Sequence, residues 1–533
     1  MLIWLILIPV IAAALIGLLR TPGRLTAITA AAVMLVLGVG AILCSILCPE
    51  CSKACLSTVC GTPIQFTLGL PFSKIMVLLA LLVTLAATIG MKTPNKDAER
   101  SWSISSLLLS AGAIGAFMSD NIIAFYGFHE LALIPTFIMI GCYGRGDRRS
   151  IAWTATVYLG LASMVLLAGL LLLCTQMHAW TFTGISASVA GGNMPTTPCL
   201  IAGLLIVGFG TLVSLFPFHT WAAPAYASAP APIAMLHAGV LKKFGLYGLF
   251  TLAEAFGSRC GELFGGWNNL LLLLLLGNIL WVGYVTVSQT RLDDMLGNSS
   301  VMHMGYIFLA FAAVIADKGN NILAYQGAAV LMLAHGLTIA MLFLLTGQIE
   351  SQTRTLELDS MGGLARKLPL LGFLFGLAGM ASIGLPLLAN FAGEYTIFVS
   401  CFAKWKTGVT AATAGCDVLT CCINWLQGLP WGIGCVFTWM FNGISSGLSA
   451  IASVFGGLGA VQLTLVFALW GLVISAIYML RAFRNIFESE IGHTSERATK
   501  LSCADIISAG FLALFIVLFG IAPQLLKPLM NLI

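Results

Sequence analysis

Glu130, Lys242, Lys243, His303, His335 and Glu394 are ionisable side chains set inside or beside long apolar stretches, and residues of these types pass protons from one to the next. A charged group at membrane depth costs about 2.5–3.5 kcal/mol on insertion scales, which makes each a functional candidate by default. A lysine brought near neutrality by burial accepts and releases a proton as a nearby charge changes, and histidine relays protons near neutral pH. In chain order, Glu130, Lys243, His303, His335 and Glu394 would form a polar axis running laterally through a helical bundle, with His219, His237 and Lys242 as secondary relay candidates. Other chemistries lack their residues: the chain has no phosphate-binding Gly-rich loop opening a helix after a strand, no GxSxG and no standard metal or cluster spacing.

The elements that must position these groups are irregular. Between Phe216 and Lys243 the sequence FPFHTWAAPAYASAPAPIAMLHAGVLKK places Pro217, Pro224, Pro230 and Pro232 within an apolar region. Proline removes a backbone donor, and a membrane helix tolerates the break only where protein or a water-filled cavity satisfies the freed groups. Gly384, Pro386, Asn390 and Gly393 predict a second break just before Glu394. Two broken helices flanked by ionisable groups are the pattern of internal repeats that form an ion path. On the lysine helix, Gly239, Lys243 and Tyr247 share one face at spacing four, while Lys242 lies about 100 degrees around it.

Composition fixes the setting. Of 533 residues 59% are hydrophobic and 8% charged, with mean hydropathy +1.00, so the class is an all-α polytopic membrane protein. A net charge of +5 points to no nucleic-acid partner. Apolar windows predict fourteen spans, near 2–19, 25–47, 72–91, 103–119, 121–142, 151–174, 198–216, 230–256, 264–287, 300–316, 320–347, 369–400, 461–481 and 504–524. The first has no basic leader and no cleavage signal, and reads as a retained helix. Lysine and arginine crowd the loops of one side, which the positive-inside rule assigns to the interior, leaving both termini outside. Of fifteen cysteines, most fall on the outer side, among them the run CPECSKACLSTVC, which predicts outer-face disulfides. Asp293 and Asp294 in QTRLDDML read as a solvated or inter-subunit charge pair.

The motifs FYGFHELALIP, FPFHTW, LHAGVLKKFGLYG, SSVMHMGY, LAHGL, MGGLARKLP and NFAGEYTIF, in this order and spacing, resemble those of the antiporter-like membrane subunits of respiratory complex I, the NADH:quinone oxidoreductase, and within them the chain 4 or subunit M type. The resemblance covers roughly residues 72–400 and 461–525. It implies fourteen helices with two inverted five-helix repeats, spans 4–8 and 9–13, broken at helices 7 and 12. Such a subunit translocates protons and holds no cofactor, while NADH, FMN, iron-sulfur clusters and quinone belong to partner subunits. The partners implied are the neighbouring membrane subunits of the complex and the lipid bilayer, in a bacterial inner membrane. By position, Glu130 is the helix 5 acid, Lys243 the central lysine and Glu394 the helix 12 acid, with His303 and His335 on the axis.

Several positions depart from that family. Leu212 stands where a helix 7 lysine is expected, AAPAY follows FPFHTW in place of LPDAH, Arg291 and the Asp293–Asp294 pair replace a different charge pattern, and His237 resembles a sister subunit and offers a substitute carrier. The resulting domain plan is helices 1–2 with a cysteine-rich polar outer loop (1–71), an antiporter-like core (72–400), an outer-face insertion (401–460) and two C-terminal helices (461–533). Alternatives are a subunit of a cation/proton antiporter or membrane-bound hydrogenase complex, or a structural membrane subunit that has lost pumping.

Overall fold

Without water to bond its backbone, a long apolar stretch satisfies its N–H and C=O groups internally and becomes a helix. The computed structural model of the chain describes residues 1–48, 53–59, 62–402, 459–490, 492 and 495–530. Among these, nine continuous helical runs are long and apolar enough to cross a membrane, joined by the shorter apolar helices Leu2–Leu18, Ser73–Ile89, Pro198–Val213 and Pro369–Ile383. The chain is an integral, multi-pass membrane protein. Counted in order, the spans match the fourteen apolar windows, with the central lysines on span 8 (Ala231–Gly239 continuing to Phe244–Phe256) and Glu394 on span 12 (Pro369–Ile383, then Ala389–Phe402).

Spans 10 (Leu292–Ala316) and 11 (Ile322–Thr353) lie at the centre, their apolar windows 94% and 100% buried inside protein. A helix surrounded by other helices can carry polar groups that lipid would reject. This is why span 10 starts at Leu292 rather than near residue 300: the polar turn that hydropathy discounts, through Asn298, Ser299 and Ser300, is helical and packed among neighbours.

The two breaks occupy matching places in the two repeats. Span 7 runs Pro198–Val213 and stops at Ser214 with φ 69, then resumes as Ala222–Ser228. Span 12 stops at Gly384 with φ 83. Span 9 supplies what the first break leaves open: inside its π-helical segment Gly277–Val282, Asn278 accepts from Phe216 N at 2.6 Å and donates to Ser214 O at 2.9 Å and Val301 O at 3.1 Å. Trp221 Nε1 donates to Thr211 O at 3.1 Å. Broken backbone is thus closed by side chains, as a low-dielectric setting demands.

Three expectations are corrected. The polar loop after span 2 contains an antiparallel β-hairpin, Lys53–Val59 paired with Thr62–Thr67, anchored where Asp120 N donates to Gln65 O at 3.0 Å. Threonine and β-branched residues favour extended backbone, a short-range signal that membrane-span counting overlooks. Second, Cys44, Cys55, Cys174, Cys199, Cys260 and Cys401 are free thiols, and Cys174, Cys260 and Cys401 pack in the apolar interior as small hydrophobes. Cys51, Cys60, Cys416, Cys421, Cys422 and Cys435, and nearly all of the 401–460 insertion, lie outside the described residues.

Third, Asp293 is not solvated. It is 1% exposed and held by Arg291 at 2.9 Å and Arg145 at 3.9 Å, while Arg145 also reaches Glu350 at 2.6 Å. This network ties the loop after span 5 to the starts and ends of spans 10 and 11, on the membrane face opposite the hairpin. The hydrogen bond to Asp293 holds the Arg291 guanidinium above its usual pKa.

Candidate functional site

Span 8 is built for close approach. Gly239 and Gly336 face one another across spans 8 and 11, and a Cβ on Gly239 would lie 3.0 Å from the Gly336 carbonyl. That contact brings the lysines of span 8 beside His335 of span 11. Immediately after Gly239 the helix tightens into a 3-10 turn, Leu241–Lys243, before continuing as α-helix. Successive side chains on such a helix point about 100 to 120 degrees apart, and the two lysines meet different partners. Lys243 is 0% exposed and folds back to donate to Ala238 O at 2.6 Å. Lys242, 2% exposed, points across to span 10 and donates to Ser300 Oγ at 3.3 Å, its Nζ 5.2 Å from the centroid of the Tyr226 ring.

From Ser300 a chain of polar contacts runs laterally through the buried spans. Ser300 Oγ lies 3.4 Å from His335 Nε2, and the His335 and His303 rings are 5.4 Å apart. His303 Nδ1 stands 3.6 Å from Glu394 Oε1. On its other nitrogen, His303 Nε2 is 3.4 Å from Ser382 Oγ and 3.3 Å from Tyr478 OH, which in turn meets Ser299 Oγ at 2.7 Å. Glu394 reaches the axis because span 12 breaks at Gly384: the carboxylate rests where a Cβ of that residue would sit, so only glycine leaves it room. Along this line His237 Nδ1, His303 Nδ1, Asn390 Nδ2, Glu394 Oε1 and Tyr226 OH are buried without a protein hydrogen-bond partner. Buried polar atoms of this kind are the positions internal water bonds to.

The structure therefore brings together Lys242, His335, His303 and Glu394 by direct or near contact, and sets Lys243 beside them on a carbonyl. His237 is buried and stacks on Trp221 at 5.8 Å and edge-on to Tyr226 at 5.2 Å, next to Lys242. His219 lies in the break of span 7, half-buried and stacked on Phe216, away from any of these groups by hydrogen bond. Glu130 keeps 35% of its side-chain surface exposed, whereas its neighbour His129 is 2% exposed. The His129 ring stacks on Phe244 at 3.8 Å, and its Nδ1 is 3.4 Å from Glu130. Sequence reading passed over His129, Ser300, Asn278 and Tyr478. Only His129 carried a local signal, its place inside FYGFHELALIP beside the acid. Leu212 is buried among apolar side chains, with no charge at that turn of span 7.

The fold and this geometry have counterparts. A family model described as NADH:quinone oxidoreductase/Mrp antiporter, TM, matches residues 119–420, more than half of the chain. The chain belongs to that family. Among curated relatives, NAD(P)H-quinone oxidoreductase chain 4 2 of Microcystis aeruginosa is 34% identical over 325 residues, covering 61% of this chain and 57% of that protein. NADH-quinone oxidoreductase subunit M of Rickettsia prowazekii is 26% identical over 450 residues, covering 84% of this chain and 78% of that one. The chain thus spans less than two thirds of the length of the Microcystis relative. In fold, it superposes on a chain of respiratory complex I from Thermus thermophilus with bound NADH at TM-score 0.79 and 22% identity, covering 99% of this chain and 97% of that one. A chain of the Mrp complex from Dietzia gives TM-score 0.73 at 17% identity, covering 99% and 96%. The lateral polar line runs through the buried centre of the bundle, apart from the Arg145–Asp293–Arg291 network at its face.

Proposed function

We propose that the chain is a proton-translocating membrane subunit of the chain 4 or subunit M type in an NADH:quinone oxidoreductase assembly. The observation that carries this reading is the line Lys242, Ser300, His335, His303, Glu394, laid through helices shielded from lipid. A charge arriving beside Lys242 displaces its proton toward Ser300 and His335. His303 passes it to Glu394, which meets the break of span 12. Lys243, on the Ala238 carbonyl, sets the field at Lys242, because two ammonium groups on successive residues repel. His237 shares the Tyr226 ring with Lys242 and serves as the carrier from the span 7 side, where Leu212 leaves no lysine. This division assigns the chain no redox cofactor: NADH, FMN, iron-sulfur and quinone chemistry fall to partner subunits. The basic face of the bundle is placed inside and both termini outside, in a bacterial inner membrane.

Respiratory assembly is supported by the names of the curated relatives, and the Mrp neighbour favours a second reading, a subunit of a cation/proton antiporter complex. Proton uptake by the assembled membrane complex in liposomes tests both. Lys242→Ala and Glu394→Gln are expected to abolish or strongly slow uptake driven by NADH and quinone, while Lys243→Ala slows it less. Wild-type uptake in Lys242→Ala and Glu394→Gln would sink the relay. Uptake driven by a sodium gradient but not by NADH would favour the antiporter reading.

A further inference from the structure

Span 8 carries an acid that the axis does not use. Glu254 lies in the last turn of Phe244–Phe256, eleven residues beyond Lys243, which at 1.5 Å per residue is about 16 Å toward the hairpin face. Lys243, Tyr247, Thr251 and Glu254 follow one another at helical spacing along one side of the span. A cavity of about 310 Å³ opens there, lined by Leu70, Thr183, Thr251, Glu254, Gly319 and Tyr325 among others. Among the described residues Glu254 has no ion pair, and the nearby Arg259 is engaged by Glu262 at 3.1 Å.

Two of the lining hydroxyls are committed as donors elsewhere. Thr251 Oγ1 already donates to Tyr247 O at 2.8 Å and Thr183 Oγ1 to Asp120 at 2.6 Å, so both hydroxyls offer lone pairs to the cavity rather than protons. Tyr325, 4% exposed, has its ring fixed between Phe250 at 5.7 Å and Phe72 at 6.2 Å, and its hydroxyl is buried with no protein partner. Among the described residues no lysine or arginine lines the space. Glu254 is the carboxylate on this lining, with Asp120 standing behind Thr183; a carboxylate with neutral oxygens suits a hard cation, and the one negative charge facing the space balances a monovalent one.

We propose that this cavity is a monovalent-cation site at the hairpin face, in which Glu254 supplies the charge and the Tyr325 hydroxyl and Thr251 the neutral oxygens, and which takes up a proton or a sodium ion. It serves the lysine pair as an exchange port, and that role rests on the translocation reading. Binding itself does not, so the site is tested by occupancy rather than by pumping.

The assembled complex in detergent is titrated with NaCl against choline chloride at equal ionic strength, reading sodium-23 NMR relaxation, and the protonated-carboxyl infrared band is followed against pH. If sodium is the ion, wild type shows sodium-specific relaxation that Glu254→Gln weakens at least about tenfold and Tyr325→Phe severalfold, while Lys242→Ala leaves it intact even where pumping is lost. If the proton is the ion, there is no sodium effect, but a titrating carboxyl band disappears in Glu254→Gln and shifts in Tyr325→Phe. A sodium effect untouched by both substitutions, or neither signal in wild type, overturns the site. Should Glu254→Gln fail to assemble, Tyr325→Phe, which removes only a hydroxyl, decides it.

Discussion

Replacing Ser300 by alanine removes a single oxygen that joins the lysine half of the protein to the histidine half. Its Oγ lies 3.3 Å from Lys242 Nζ and 3.4 Å from His335 Nε2. Both contacts are at the long end of the hydrogen-bond range, yet one is to an ammonium group and all three residues are buried. A charge-assisted bond at such a site contributes about 1.5–3 kcal/mol, a neutral one about 1. Without the hydroxyl, the hydrogen-bonded link between Lys242 and His335 is cut, and the transfer step loses about 1.5–3 kcal/mol of stabilisation. At 1.36 kcal/mol per decade this slows transfer by roughly 10- to 150-fold. The assay is proton uptake per NADH oxidised in liposomes containing the assembled complex, with uncoupled NADH oxidation measured alongside. Ser300→Thr keeps the hydroxyl and is expected to recover most of the rate. Uptake at the wild-type ratio in Ser300→Ala would refute the argument, and so would Ser300→Thr as slow as the alanine variant, since packing would then account for the loss.

Other outcomes follow from the same contacts. Asn278→Ala strips two backbone groups at the span 7 break, Phe216 N and Ser214 O, of this partner and cuts the tie to Val301 O of span 10, and is expected to lower the stability of the complex by about 2–4 kcal/mol, read as a lower melting temperature with reduced assembly. Gly384→Ala combines a left-handed backbone with a clash against Glu394, so it should cost about 1–3 kcal/mol and slow uptake as the carboxylate is displaced; unchanged melting and pumping would contradict the geometry of the break. Leu212→Lys introduces a charge into an apolar wall at about 2.5–3.5 kcal/mol and is expected to change the rate of uptake, whereas no change would mean that Lys242 and His237 have made the position irrelevant. Arg145→Met removes the partner of Glu350 and one of the two cations at buried Asp293, with an expected loss of about 1.5–3 kcal/mol in thermal stability at low salt.

Much of the molecule was legible before any coordinates. Hydrophobicity sustained over about twenty residues has one stable outcome in lipid, so the number and order of the spans followed from the chain alone. So did the two breaks, because Pro217 and the Gly384–Pro386 pair cannot continue a regular helix, and so did the residue types able to move protons. Motif order carried the family resemblance, since the spacing of FPFHTW, LHAGVLKK and NFAGE does not depend on how the helices pack.

Tertiary structure decided which of these groups meet. Periodicity set Lys243 and Lys242 on different faces, and the structure adds their partners, the Ala238 carbonyl for Lys243 and Ser300 for Lys242. Helical spacing sets the two lysines on different faces, but which group each one bonds to depends on the helices packed around them. His129 rather than Glu130 proved the buried member of its pair, because the span 8 ring of Phe244 covers it, a contact made more than a hundred residues away in sequence. Asp293 looked solvated in its loop and is held between arginines of two loops. Asn278 carries no signal in an apolar run until the broken span 7 is laid beside it. Sequence determines what each segment must bury, whereas partners across helices depend on close approach, such as that of Gly239 to Gly336, which exists only once the bundle has formed.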